Sequence, residues 1–229
     1  MTTANVVGSS TPATSVTTTT VFTAGPTLKR GNHGDAVLAL EQRLEQLKYD
    51  VGKVDGNYDL QTWEGVLAFQ KFTGLKRTGT ATAETQLALS TAVLPAGLIP
   101  SGGLPRVEID LSRQVLLYFD KSGLTRVSAI SSGTGHKYCA TSKKSFEQVC
   151  GTARTPRGNF RIQRRIKGDR ESDLGHLYNP VYFSGGFAVH GSPSVPAYPA
   201  SHGCVRVTNQ TADWFFETVQ NGTPIYLFD

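Results

Sequence analysis

The sequence predicts a multidomain α + β protein, with a small three-helix domain followed by a mostly β domain that carries one main helix. Three observations carry this. Apolar residues recur at helical spacing through about residue 93 and at strand spacing from residue 106 onward. Between them lies VLPAGLIPSGGLP (93–105), uncharged and with three prolines, the composition of an interdomain connector whose apolar residues pack rather than float. A chain of 229 residues suffices for one large or two modest cores. The expected division is a tether over 1–26, a helical domain over 27–93, a connector over 94–104 and a β domain over 105–229.

The elements follow in order. Residues 1–26 are mostly Thr, Ser, Ala, Gly and Pro, with too little apolar surface to offset the entropy of ordering. Their first twenty residues read as a linker from which a signal or membrane anchor has been removed. Val37, Leu40, Leu44 and Leu47 share one helical face, and Asp35 stands where it caps a first turn, which predicts a helix over 35–48. Asp55-Gly56-Asn57 supplies a turn, and Asp59 or Thr62 starts a second helix that carries Trp63, Val66, Leu67 and Phe69 as far as Gly74. Gly65 weakens that helix slightly. Thr82 begins a short third helix containing Leu87. Beyond Pro105, the runs 106–110, 114–120 and 124–132 read as a meander. Further strands are expected over 158–165, 181–183, 187–191, 205–207 and 223–228, with one helix over 209–219 that exits at Asn221-Gly222.

All five excess positive charges fall after residue 100, because residues 1–100 hold eight Lys/Arg against eight Asp/Glu. Many of them lie between Arg154 and Arg170, among strand-like apolar residues, without a recognition helix or stacking aromatics, so nucleic acid is not the expected partner. Either a solvated basic face or affinity for an anionic polymer accounts for them. No run of 18 apolar residues exists, so no transmembrane segment is expected. Of three cysteines, Cys139 and Cys150 flank a polar loop; pairing them staples it and leaves Cys204 as the free thiol. A persistent bond of that kind belongs to an oxidising, extracytoplasmic compartment. His136 and His176 read as loop residues and His33 lies in the small domain, so the five histidines form no metal set, and no cofactor is expected.

The chemistry concentrates in Ser201-His202-Gly203-Cys204-Val205-Arg206. A thiol at its ordinary pKa of about 8.5 needs a neighbouring base to act as a nucleophile at neutral pH, and His190 and His202 are the candidates. His190-Gly191 closes an apolar run 14 residues before Cys204, and Gly203 leaves room for backbone N–H donors at an oxyanion site. In isolation, the same Cys and His read more readily as a buried small hydrophobe and a structural histidine.

The spacing of His190-Gly191 from Ser201-His202-Gly203-Cys204, with Thr155, Pro156, Gly158 and Phe160 upstream, resembles the signature of the YkuD-type L,D-transpeptidases of bacterial cell walls. Arg206 stands where some members carry Asn. The stretch containing Gly31, Gly34, Val37, Leu40, Leu44, Asp55, Gly56, Tyr58, Thr62, Val66, Phe69, Gln70, Gly74 and Leu75 is similar to the peptidoglycan-binding type 1 domain. The matched positions there are core and turn positions, so they speak for the fold more than for glycan binding.

The resemblance implies a curved two-sheet catalytic domain in which Cys204 attacks a tetrapeptide stem, releases D-alanine through a thioester and passes the acyl group to an amine. It implies His190 as general base, with Gly191 and Ser192 placed so that a backbone carbonyl holds its tautomer. His202 competes for that role and otherwise shapes the oxyanion site or contacts substrate, with Gly203 and Cys204 N–H groups as donors and Ser201 beside them. Arg206 either binds a stem carboxylate or braces the loop. Tyr178 and Tyr182 either line the donor cleft or belong to the core. The implied partners are peptidoglycan stem peptides and glycan, with carbapenem β-lactams as inhibitors, in a secreted or wall-associated setting. Two alternatives stay open: an L,D-carboxypeptidase with water as acceptor, and a catalytically silent wall-binding protein.

Overall fold

A computed structural model describes residues 22–99, 102–143 and 145–229. The tether expected over 1–26 therefore lies outside the described residues up to residue 21, as do connector residues 100 and 101. Three helices come first: α1 (Asp35–Gln46), α2 (Leu60–Thr73) and α3 (Ala83–Thr91). Asp35 is not the cap of α1. Gly34 holds that position without a side-chain bond, and Asp35 sits inside the first turn, where its charge favours the helix dipole. Asp59 does cap α2, accepting from Thr62 N, and Thr82 caps α3 by accepting from Thr85 N.

The β region forms two main sheets. The first has the order β3-β2-β1-β12-β6, built from β1 (Arg106–Asp110), β2 (Val115–Asp120), β3 (Gly123–Ala129), β6 (Gly158–Arg161) and β12 (Pro224–Phe228). The second has the order β11-β10-β9-β7, with β8 also paired to β9. Its strands are β7 (Arg164–Arg165), β8 (Asp169–Ser172), β9 (Gly175–Ser184), β10 (Phe187–Gly191) and β11 (Val205–Val207). The strand expected over 158–165 is thus two strands in different sheets, because the chain crosses between layers at Ile162-Gln163. The short strand expected over 181–183 is the C-terminal part of a ten-residue strand whose hairpin with β8 carried no apolar alternation to reveal it. A third, two-stranded sheet joins β4 (Lys137–Thr141) to β5 (Gln148–Thr152), closed by the disulfide between the facing Cys139 and Cys150. The expected polar loop is therefore a hairpin. Helix α4 (Asn209–Thr218) follows β11, with Thr208 as its cap.

The β1, β2 and β3 part of the first sheet is buried on both faces, and that fixes the architecture. Its Val107, Ile109, Leu116 and Tyr118 meet Val181, Phe183, Val189, Val205 and Val207 of the second sheet and Ala212 and Phe215 of α4. Its other face, Val115, Leu117, Phe119, Leu124, Val127 and Ala129, shares one core with Val37, Leu40, Leu44, Val66, Leu67 and Phe69 of the helices. The unbroken run Val115–Phe119 is the sequence trace of this double burial. The helical part also extends the sheet: Val127 N donates to Lys48 O at 2.7 Å and Asp50 N to Val127 O at 2.9 Å, which covers the β3 edge. Buried Asp50 accepts from Arg126 at 2.7 Å and from Thr211 of α4 at 2.9 Å. Lys71, wholly buried on α2, donates to Ile130 O at 2.7 Å. Gly65 is what allows this docking, since a Cβ there would meet Asp50 O at 2.9 Å and Val51 Cγ1 at 2.7 Å.

Candidate active site

Strands β10 and β11 run parallel, with Val189 opposite Val205 and His190 opposite Arg206. Alternation along a strand sends Val189, Val205 and Val207 into the core between the sheets, and Ala188, His190, Cys204 and Arg206 to the opposite face. A cleft of about 510 Å³ opens on that face, and His190, Ser192, Ser201, His202, Cys204 and Arg206 all line it.

Backbone geometry places the thiol. Gly203 has φ +135°, and a Cβ on it would strike the Phe187 ring at 2.6 Å and Arg154 O at 3.1 Å, so the turn needs glycine on both counts. Ser201 Oγ accepts from Gly203 N at 3.0 Å and donates to Cys204 O, tying both ends of the turn together. Thr155 Oγ1 donates to Gly203 O at 2.8 Å and accepts from Gly133 N at 2.9 Å, which anchors the turn to the first sheet's outgoing loop. Arg206 is held through its backbone by Ser131 in both directions, at 2.9 and 3.0 Å. The expectation that Gly203 N–H serves an oxyanion needs correction, because Ser201 Oγ already takes it. The Cys204 N–H has no such partner among the described residues.

His190 is buried, and its Nδ1 lies 2.8 Å from Gly191 O. A carbonyl only accepts, so in the neutral ring Nδ1 carries the proton and Nε2 presents its lone pair. Burial pushes the His190 pKa down to about 4; the bond to Gly191 O opposes this, and the nearby Arg206 charge adds to it. Burial likewise pushes the Cys204 thiol up from its ordinary value, against the pull of the Ala188 N–H and of Arg206. Cys204 Sγ sits 3.7 Å from Gly186 O, to which a protonated thiol donates. Both shifts favour the uncharged forms of the thiol and the imidazole.

The other residues named from sequence take different positions around the cleft. His202 is exposed and makes no hydrogen bond among the described residues; its ring meets Tyr138 edge-on, with centroids 4.9 Å apart. Gly203's positive φ breaks the extended geometry between His202 and Cys204, although both still line the cleft. Gly191 does not face the cleft, being wedged against Asn209 Oδ1, the Tyr178 ring and Ala212. Tyr182 lines the cleft beneath the Arg164 guanidinium, 4.1 Å from the ring centroid, whereas Tyr178 packs into the intersheet core. The cause is a bulge: Val189 faces Val181 but Gly191 faces Tyr178, and Asn179 has φ +45°. The extra residue flips the alternation, so Leu177 takes the cleft side instead. His176 is a strand residue of the cleft, 2.7 Å from Asp169, and not a loop histidine. The Arg206 side chain makes no bracing hydrogen bond to the loop among the described residues. Tyr138 and the β8–β9 hairpin carried no signal in the sequence, since a hairpin wall made of polar residues shows no apolar period.

Comparison with known proteins agrees in both halves of the chain. The family model of the L,D-transpeptidase catalytic domain, YkuD, matches residues 105–227, and that of a putative peptidoglycan binding domain matches residues 33–89. The chain is similar to the solved structure of an L,D-transpeptidase (residues 123–326) from Xylanimonas cellulosilytica. Identity is 40%, the TM-score is 0.80, and 90% of this chain and 99% of that one are covered. It also matches an L,D-transpeptidase from Stackebrandtia nassauensis at 19% identity and TM-score 0.48, over 88% of this chain and 95% of that one. L,D-transpeptidase 1 of Mycobacterium tuberculosis matches at 21% identity and TM-score 0.39, over 56% of this chain and 63% of that one. No curated protein matches.

Proposed function

The chain belongs to the YkuD family of L,D-transpeptidases, and from that premise we propose that it cross-links peptidoglycan by acyl transfer through Cys204. The observation that carries the reading is one cleft face shared by Cys204 and His190, on and beside adjacent parallel strands, with His190 Nδ1 already committed to Gly191 O.

Cys204 Sγ attacks the carbonyl at the L-centre of the stem's diamino acid while His190 Nε2 takes the thiol proton. The tetrahedral oxyanion draws on the Cys204 N–H. As the C–N bond breaks, Nε2 returns the proton to the departing amine, and D-alanine leaves an acyl-thioester on Cys204. An amine of a neighbouring stem then attacks, the C–S bond breaks and the thiol is restored. His202, exposed at the cleft rim against Tyr138, contacts substrate rather than the thiol proton. Ser192 and Tyr182 line the donor path. In this reading residues 27–93 form the helical domain, 94–104 the connector and 105–229 the catalytic domain. The protein acts outside the cytoplasm in wall biogenesis, and strained β-lactams such as carbapenems acylate the same thiol.

Intact-mass measurement with a carbapenem and with a tetrapeptide donor tests this. Adducts are expected on Cys204 alone, lost in Cys204→Ala and slowed far more by His190→Ala than by His202→Ala. An enzyme that stays unmodified under mild reduction is the silent wall-binding protein instead. Product analysis with and without an amine acceptor separates cross-linking from the L,D-carboxypeptidase alternative, in which water alone completes the turnover.

A further inference from the structure

We propose that the Arg206 guanidinium is the binding site for the α-carboxylate of the amino acid that leaves, so that this side chain sets the preference for a donor with a free C-terminal carboxylate. The inference rests on Cys204 acylation as described above and names a subsite of that cleft.

Arg206 differs from the other arginines that are withdrawn from solvent. Arg43, Arg77, Arg106, Arg113, Arg126 and Arg165 each place the guanidinium on a carbonyl or carboxylate. Among the described residues the Arg206 guanidinium has no acceptor at all, although the residue is half-buried and lines the cleft. A half-buried cation without a partner is unfavourable unless something supplies the anion. Its backbone is clamped on both sides by Ser131, so strand stability does not need the side chain.

Position identifies the anion. Arg206 lies directly across from His190 and two residues beyond Cys204 on the same face, about 6.5 Å along an extended strand. With Sγ on the scissile carbonyl, the carboxylate of the following amino acid lies about one residue pitch further, roughly 3.5 Å. A guanidinium two residues from the nucleophile spans that gap and meets the carboxylate with two parallel N–H bonds. The same contact puts the departing amine on the His190 side, where it collects its proton.

The test compares a tetrapeptide donor bearing a free C-terminal carboxylate with its C-terminal carboxamide, in wild type, Arg206→Gln and Arg206→Lys. The readouts are Cys204 acylation by mass and kcat/KM. Wild type is expected to favour the carboxylate by about 10- to 100-fold, the range of a charge-assisted pair. In Arg206→Gln this ratio falls to within about 3-fold, and Arg206→Lys retains part of it, since lysine keeps the charge without the fork. A wild-type ratio near one overturns the proposal, as does a wild-type ratio that survives unchanged in Arg206→Gln, which would place the arginine's effect on the thiol or His190. If neither donor acylates wild-type Cys204, the acylation reading itself has failed, an outcome distinct from a lost preference. Should Arg206→Gln not fold, the wild-type ratio and the lysine variant still decide.

Discussion

Replacing Asp50 by alanine tests whether the helical part and the β part are one folding unit. Its carboxylate, 2% exposed, meets Arg126 at 2.7 Å and accepts from Thr211 at 2.9 Å and Gly52 N at 3.3 Å. Removing one partner of a buried pair costs about 3–5 kcal/mol. The Arg126 side chain is 24% exposed and regains some water, so about 3 kcal/mol is expected. For a chain of this size that lowers Tm by roughly 6–12 °C. Trp63 on α2 and Trp214, whose ring lies 4.1 Å from the Arg126 guanidinium carbon, report on the two halves. In guanidinium titrations of single-tryptophan variants, both signals should move together to lower denaturant in Asp50→Ala. Two separated transitions, with the Trp214 one unmoved, would refute the shared unit, as would a loss below about 1 kcal/mol.

Four further outcomes follow from particular side chains. Unfolding His190 raises its pKa from about 4 to an ordinary 6.5, so the unfolded chain binds the proton first. Stability is then full above about pH 6.5 and falls by about 3 kcal/mol as pH drops toward 4, a slope that His190→Asn should flatten in denaturant titrations. Because burial holds the Cys204 thiol above its ordinary pKa, its alkylation by iodoacetamide should keep accelerating past pH 9; a plateau below pH 7 would contradict the neutral pair. Thiol titration of the native protein should count one group, and three after reduction. Gly65→Ala should destabilise by about 1–3 kcal/mol despite alanine's better helix propensity, since Asp50 O and Val51 stand within 3 Å of the new methyl; a gain in Tm would count against the close docking of α2.

Elements with a strong apolar period were legible, and those shaped by a neighbour were not. Val37, Leu40 and Leu44 gave α1, and the Val115–Phe119 run gave β2, because burial imposed the pattern. The Cys204 turn was legible through residue types that only that geometry tolerates: Gly203 at φ +135° and Ser201 bonding across it. Which of Tyr178 and Tyr182 faces the cleft was not legible, because a bulge at Asn179 reverses alternation without changing composition. Gly65 looked like a weak helix position when it is a contact with Asp50 O, a relation between residues 15 apart that no local window contains. The role of Arg206 stayed open for a related reason, since a guanidinium without an acceptor among the described residues is recognised only once those residues have positions.

The docking of the helices also bears on what the small domain can do. A ligand-binding module needs a free face, yet ten of the 14 residues of α2 are buried, some in the shared core and others, such as Lys71 and Gln61, bonded to Ile130 and Thr211. Any contact with glycan must therefore fall away from the buried face of α2, on surfaces such as that of α3, where Leu87 is 64% exposed. The same docking ties the helices to the chemistry. Lys71 holds the carbonyl of Ile130, the next residue, Ser131, clamps Arg206, and Ser132 O accepts from Ser201 N at 2.9 Å. The helical domain thus sits one residue from the Arg206 clamp and two from the Ser201 clamp. A change on the buried face of α2 should reach the cleft as a loss of geometry at Arg206 and Ser201, whether or not the domain touches the wall.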